Sequence, residues 1–340
     1  MTTANLQVEL FDERDEWIKA RSLGLGSSDA PVILGLSKWK SPLSLYYEKR
    51  GMREQTRGET EFMEWGLALE PAIIRGYERI TARDVAKPSE LFPAVQDRTG
   101  VAHRFTLARD PDLSFLVASP DATILPVRID PLTGVAEDGP VPPPPVLGAL
   151  GILEVKNVDV SKGRLWDDAQ EPPVEYLVQL QHQLMVTGLR WGSIAALVGG
   201  NRFLWADVAR DEELIAMMRT LEIEFWKGVL NEQPPPVDGS ESTKALLARL
   251  YPKDTGEEVV LPAEAREWDR QRVDAMVTIN AAKEMQQEAE NKIRAAIGDA
   301  TMGTISDGLK YSWRFQTRKA HFVKESEFRV LRRHGGKGDD

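Results

Sequence analysis

The chain has 340 residues and no cysteine. Disulfides, thiolate zinc sites and cysteine-ligated iron–sulfur clusters are therefore excluded. Histidine is scarce, with four scattered residues. A histidine-rich metal centre is not available, so a metal site would rest on oxygen ligands, which suits magnesium or manganese. No apolar run approaches a membrane span, and the N-terminal stretch lacks the apolar core of a signal peptide. An intracellular, membrane-free location is the expectation. Positive charge is in deficit, with 43 basic against 53 acidic residues and a net charge of −10. That argues against a protein that coats nucleic acid nonspecifically. It leaves room for an enzyme whose carboxylates bind metal and whose basic residues are gathered in one channel. Hydrophobic residues make up 42% of the chain, enough for one large domain or one domain with an appendage.

The stretch Gly151-Ile-Leu-Glu-Val-Lys-Asn157 organises the rest. As a strand it alternates its side chains between two faces. Leu153 and Val155 point into a core, while Glu154 and Lys156 share the other face about 6.5 Å apart. Upstream, Leu116-Val-Ala-Ser-Pro-Asp121 reads as an apolar strand that stops at a turn carrying a second carboxylate. Two acids and a lysine at strand ends could hold a divalent cation and orient a water, or form a surface ion pair. An acid-x-Lys triplet arises by chance about twice at this composition. The other one here, Glu290-Asn291-Lys292, lies in a strongly helical stretch and reads as a solvated pair.

Around that stretch the chain punctuates itself clearly. Residues Phe11 to Ser22 predict a short helix with Trp17, Ile18 and Arg21 near its end. In Leu23-Gly-Leu-Gly-Ser-Ser-Asp-Ala-Pro31 the glycines allow a tight turn, Ser28 or Asp29 can cap a helix that Pro31 helps to start, and Gly35 can stop it. Free N–H groups there suit a phosphate, which Arg21 could close over; an ordinary capped helix is the plainer alternative. Ser41-Pro42 to Gly51 is a further capped helix. Glu61 to Ile80 predicts a helix with Phe62, Trp65, Leu69, Ile73 and Tyr77 on one stripe. Glu70 lies at the edge of that stripe, aimed at a site or at solvent, and Pro71 predicts a kink or a helix start there. Val101 to Leu125 reads as two or three strands. The proline-rich residues 126–150 read as a surface insertion between the strand ending near Asp121 and the strand bearing Glu154.

Pro173 to Leu189 predicts a helix stopped near Gly188, with Gln179, His182 and Gln183 on one stripe. These are either a solvated face or interior groups in need of partners. Trp191 to Val198 and Phe203 to Val208 predict a hairpin around Gly199-Gly200-Asn201. A helix over 211–230, a linker or strap over 231–260, one long helix over 262–297 and a hairpin over 304–319 follow, with a tail over 321–340 that is expected to be partly disordered. The long helix carries only a weak seven-residue rhythm. In the last hairpin Leu309, Tyr311, Trp313 and Phe315 alternate with Lys310, Ser312, Arg314, Gln316 and Arg318. That fits a half-buried strand with a solvated face, or a contact to a DNA backbone.

Taken together, five short motifs resemble the YqaJ-like viral recombinase family, relatives of the lambda-type exonuclease within the PD-(D/E)xK nucleases. They are Leu25-Gly-Ser-Ser-Asp29 with Ile33-Leu-Gly35, Trp65-Gly-Leu-Ala-Leu-Glu-Pro71, Ala118-Ser-Pro-Asp121, Leu153-Glu-Val-Lys156 and Gln179-Leu-Gln-His-Gln183, in the family's order. The resemblance implies an α/β (α+β) fold with a restriction-endonuclease-like core. A mixed central sheet flanked by helices would occupy about residues 1–230, and the long helix and hairpin would form a C-terminal appendage over 261–320. It implies Mg2+, with Mn2+ as a substitute, held by Asp121, Glu154 and Glu70. Lys156 would orient and help deprotonate the attacking water, and Gln179 would support the site. Arg21, Ser28 and Ser119 match positions that hold a terminal 5′-phosphate. The implied activity is 5′-to-3′ degradation of linear double-stranded DNA in the cytoplasm of a bacterial host cell, leaving 3′ single strands for an annealing protein, by a homo-oligomer, with a trimer suggested. The alternatives are an endonuclease of the same superfamily, a nuclease of opposite polarity, or a DNA-end-binding protein with a vestigial site. The intact set Glu70, Asp121, Glu154 and Lys156 argues against the last.

Overall fold

The computed structural model describes residues 7–52, 61–87, 105–126, 144–169, 171–317, 325, 329–331 and 333. The chain divides into two compact units, Met1–Leu247 and Ala248–Asp340. The first is built on a five-stranded mixed sheet ordered β2-β5-β6-β7-β8. Its strands are β2 (Val85–Ala86), β5 (Ala122–Ile124), β6 (Gly151–Val158), β7 (Trp191–Val198) and β8 (Arg202–Ala209). β6 and β7 run parallel and the other neighbours antiparallel. A smaller antiparallel sheet joins β1 (Gln7–Phe11), β3 (Phe105–Arg109) and β4 (Val117–Ala118). Phe11 therefore ends a strand, and the first helix, α1, starts only at Arg14 and ends at Ser22. Among the described residues no helix is long and apolar enough to cross a membrane.

Both faces of the large sheet are covered, which is why β6 is apolar on both sides at its ends. Leu153 packs with Ile73 and Tyr77 of α4 (Glu61–Thr81). Ile152 and Val158 join Leu180 and Leu184 of α6 (Val174–Thr187) on the opposite side. Burying one such side chain is worth about 1.5–3 kcal/mol. Gly151 opens β6 because the Trp191 indole lies over it; a Cβ there would stand 2.6 Å from that ring. α4 continues through Pro71, so no helix starts at that position. The proline removes the donor that would have met a carbonyl one turn earlier, and its ring crowds that carbonyl.

Three helix ends fall where the sequence placed them. Ser41 accepts from Ser44 N at 3.1 Å and starts α3 (Pro42–Lys49). Asp211 accepts from Glu213 N and Leu214 N, both at 3.0 Å, and starts α7 (Glu212–Leu230). Gly188 ends α6 at φ +71°. The tight turn between β7 and β8 uses Gly199 and Gly200, both at positive φ.

Two expectations need correction. The strand ending near Asp121 does not lead into the proline-rich insertion, because β5 intervenes and pairs with β6. Residues 127–143 of that insertion lie outside the described residues. Its end is tied down, since Trp191 Nε1 donates to Ala149 O at 3.2 Å. The supposed linker over 231–260 contains α8 (Glu241–Leu250); α5 (Val160–Ala169) is the short helix that follows β6. Thr243 and Leu246 are buried, and Thr243 Oγ1 donates to Ser41 Oγ at 2.8 Å. A helix with a buried apolar and polar anchor is no strap, so the first unit reaches Leu247 rather than 230. The second unit holds the long helix α9 (Ala265–Ile297) and a hairpin of β9 (Met302–Thr304) and β10 (Lys310–Ser312). Of the tail, Arg333 pairs with Asp269 at 2.9 Å, and residues 334–340 lie outside the described residues.

Candidate active site

β6 sets the site. Ala122 pairs with Leu153, and beyond that pair β5 has ended. The Val155 N–H would be left without a strand partner, and Asp121 Oδ2 accepts it at 2.7 Å. Pro120 cannot extend a ladder and helps to turn the chain here. A strand end thus places the Asp121 carboxylate beside Glu154 and Lys156, as the alternation along β6 demands. Lys156 Nζ donates to Glu154 Oε1 and, at 2.6 Å, to Gln179 Oε1. Glu70 reaches the same place from α4, which packs on β6. It stands near enough for the charge of Glu154 to raise its pKa.

The amide helix closes the other side. Gln183 is buried, and its Nε2 donates to Glu154 Oε2 at 2.6 Å and to Ser27 Oγ at 3.4 Å. Its Oε1 is buried with no partner. Flipping the amide would put oxygen against carboxylate, so this orientation is the one the chemistry allows. Gln179 and Gln183 are one helical turn apart and face the site together. Gln181 and His182 do structural work instead. Gln181 holds Ala209 O at 2.7 Å and Asp211 N at 3.0 Å. His182 is fully buried between Glu222 Oε1 and Val117 O, each at 3.0 Å. The solvated-face reading of this stripe is overturned, because these side chains are interior and find partners.

The glycine stretch differs in detail from its expectation. Neither Gly24 nor Gly26 has positive φ. They serve close approach: a Cβ on Gly24 would stand 2.4 Å from Phe115 O. Leu25 N donates to that oxygen at 2.6 Å, and Leu25 bridges Leu116 in parallel. Asp29 does not cap α2 (Ala30–Ile33); its carboxylate turns back to Gly26 N at 3.0 Å and Lys49 Nζ at 2.8 Å. Lys49 outweighs burial and holds the Asp29 pKa below its ordinary value. The Gly26 N–H is therefore already occupied by a carboxylate. Arg21, Ser28 and Ser119 nevertheless share one cluster around Trp17. Arg21 Nη2 donates to Ser28 Oγ at 2.9 Å and lies 5.3 Å over the Trp17 ring. Trp17 Nε1 donates to Ser119 Oγ at 3.1 Å. Ser27 links this cluster to the carboxylates through Gln183.

Charge is unbalanced here. Burial, then Glu154, then Glu70 push the Asp121 pKa well above its ordinary value. Burial and Glu154 raise Glu70. Burial alone would lower Lys156, but Glu154 and Asp121 outweigh it and keep the ammonium. Among the described residues Lys156 faces Glu154 and Asp121, and Glu70 adds a third carboxylate beside those two. That donor set, all oxygen and in excess of negative charge, fits a hard divalent cation. As they stand, both Glu154 oxygens and one Asp121 oxygen are taken by internal donors. Among the described residues no group of three or more acidic, imidazole or thiol side chains is placed, as it stands, to hold a metal ion.

Sequence reasoning placed Gln183 on a stripe but gave it no task, and Ser27 went unremarked. The signal was available: a glutamine one turn after Gln179 shares its face.

The fold and the cluster define an α/β protein with an acid-rich, lysine-bearing site at the end of a mixed sheet. The YqaJ-like viral recombinase domain model matches residues 16–190. The chain belongs to that family. It is 31% identical over 298 residues to an uncharacterized protein, YqaJ, of Bacillus subtilis (strain 168), covering 86% of this chain and 81% of the relative. An alkaline exonuclease from Laribacter hongkongensis, LHK-Exo, aligns over 70% of this chain and all of its own, with 20% identity and a TM-score of 0.45. LHK-Exo in complex with dAMP aligns over the same shares, with 20% identity and a TM-score of 0.46.

Proposed function

We propose that the protein is an exonuclease that degrades linear double-stranded DNA from its 5′ ends, using Mg2+ or Mn2+, and leaves 3′ single strands for an annealing protein. The observation that carries this reading is the gathering of Glu70, Asp121 and Glu154, with Lys156 bonded to Glu154 and Asp121 driven towards its protonated form by burial and then by its like-charged neighbours. Phosphodiester hydrolysis needs a hydroxide at neutral pH and cover for a developing oxyanion. Magnesium bound by Asp121, Glu154 and Glu70 would lower the pKa of water and offset charge on the phosphate. Lys156, kept as an ammonium, orients the attacking water and makes its deprotonation less costly by its charge. Gln179 fixes the Lys156 amine, and Gln183 fixes the Glu154 carboxylate. Arg21, Ser28 and Ser119 take the terminal 5′-phosphate, with Trp17 setting their spacing. None of these groups reads base edges, so little sequence preference is expected. A ring of subunits, three by the family resemblance, would keep the DNA from leaving between cuts.

The test compares linear duplexes with and without a 5′-phosphate against covalently closed circles. Rapid loss of the phosphorylated linear duplex and survival of the circle are expected. Efficient cutting of closed circles would refute end dependence. Sedimentation at working concentration tests the ring; a monomer under conditions of processive digestion would count against it.

A further inference from the structure

The hairpin of the second unit has no core of its own. β9 and β10 pair antiparallel from Thr304–Lys310 to Met302–Ser312, and Gly308 turns the chain at φ +88°. Isolated two-stranded hairpins are at best marginally stable in water. Among the described residues the anchors of this one lie at its open end. Gly303 sits against the Ile297 side chain, and Trp313 N donates to Thr301 O at 3.0 Å. Within β10 the pleat sets Tyr311 on the face opposite Lys310 and Ser312. The Trp313 N–H continues the pairing one residue further, and the sequence goes on alternating through Arg314 and Phe315 beyond the strand. All of these are exposed, Trp313 to 51% and Phe315 to 97%. Rings two residues apart along a strand lie about 6.6 Å from one another.

Charge selects the occupant. From Met302 to Lys319 the chain carries Lys310, Arg314, Arg318 and Lys319 against Asp307 alone, within a protein of net charge −10. A local excess of cations beside open aromatic rings fits a polyanion with unstacked bases. A duplex already covers its base faces by stacking, and an apolar protein partner would not call for the interleaved cations. We propose that this hairpin binds single-stranded DNA, with Tyr311, Trp313 and Phe315 stacking bases and Lys310 and Arg314 meeting backbone phosphates. The choice of a DNA strand rests on the nuclease reading, in which digestion frees one strand. The exposed aromatic and basic surface does not depend on that reading.

The experiment measures anisotropy of a fluorescein-labelled oligothymidylate with the full chain in EDTA, across a salt series. Phe315→Ala and Trp313→Ala should each weaken binding about tenfold. Lys310→Glu with Arg314→Glu should weaken it and flatten the salt dependence by about 0.7 in log–log slope per lost phosphate contact. Digestion of a short duplex should not change in any of them. Phe315 is almost wholly in water, so its replacement has no folding cost. Oligonucleotide binding equal to the parent's in all these variants overturns the proposal. So does a variant that changes the sedimentation of the chain but not its affinity for the oligonucleotide, which would mark the face as a contact between copies. If the parent cuts no DNA yet these variants lose the oligonucleotide, the nuclease reading fails and the hairpin site stands.

Discussion

Two buried polar clusters lie along the same sheet and share helix α4, yet they are built on opposite charge logic. At one, Arg83 makes a two-pronged bond to Asp207 at 2.7 and 2.8 Å and donates to the Tyr77 hydroxyl at 2.8 Å. Tyr77 in turn meets Ser193 at 2.8 Å, and the guanidinium lies between the Trp191 and Trp205 rings at 5.4 and 5.3 Å. Among the described residues the Arg83 cation faces the Asp207 carboxylate, with hydroxyls and rings around it. At the other, two turns earlier on α4, Glu70 joins Asp121 and Glu154, and Lys156 is the cation that the described residues set against Glu154 and Asp121. A buried ion pair that is fully satisfied holds elements together, and removing one partner leaves a costly lone charge. A cluster with surplus charge lowers stability and persists where its chemistry is used. The first cluster ties the end of α4 to β7 and β8; the second is the one to which the proposed function assigns a cation and a phosphate.

The comparison can be broken most sharply at Lys156 and Glu154. Lys156→Ala and Glu154→Ala should each lower the rate of duplex digestion by about a thousandfold or more, read by release of acid-soluble nucleotides. Binding of a duplex end should survive, and unchanged cleavage would remove the proposed site. Next in size is Arg83→Ala, which should cost about 3–5 kcal/mol in urea unfolding by stranding Asp207. Its activity per folded molecule should stay near the parent's; a specific loss of activity there would blur the division between the clusters. Gln183→Ala should weaken Mn2+ binding, measured by calorimetry, and digestion by about 10–100-fold. If neither moves, the glutamine only fills space.

The smallest effect is on stability and carries a sign. The Asp121 pKa is raised in the fold, so its charge costs stability above that raised value, and the cost fades as pH falls through it to the ordinary carboxylate range. In EDTA, Asp121→Asn should unfold at higher urea than the parent at pH 8, with the gain shrinking in acid. A loss at pH 8 would show that the Val155 N–H contact outweighs the repulsion. His182 runs the other way. Burial would lower its pKa, but Glu222 and the Val117 carbonyl raise it, with a small contribution from Asp29. The stability it contributes is complete below the ordinary histidine value and is lost as pH rises through the folded one.

Local physics was readable without coordinates. Alternation along Gly151–Val158 separated Leu153 and Val155 from Glu154 and Lys156, because a strand has a period of two whatever surrounds it. Ser41, Asp211 and Gly188 marked helix ends, since capping is a contact among near neighbours. The glycine pair at 199–200 marked a tight turn for the same reason. Less was readable around Gly24, where glycine answers a distant carbonyl rather than a turn, around Gly26, which lies against the Arg21 guanidinium, and over 241–247, where burial against α3 turned an expected linker into a helix.

By itself, then, the order of residues determined which side chains share a face, where elements begin and stop, and that an acid turn precedes an acid-x-lysine strand. Only tertiary structure decided which groups meet across the chain: Gln183 with Glu154 and Ser27, Arg83 with Asp207, His182 with Glu222 and Val117. Those meetings depend on strand register and on which helix covers which face of the sheet. Periodicity is a property of a single element, whereas contact between distant residues is set by how several elements pack at once.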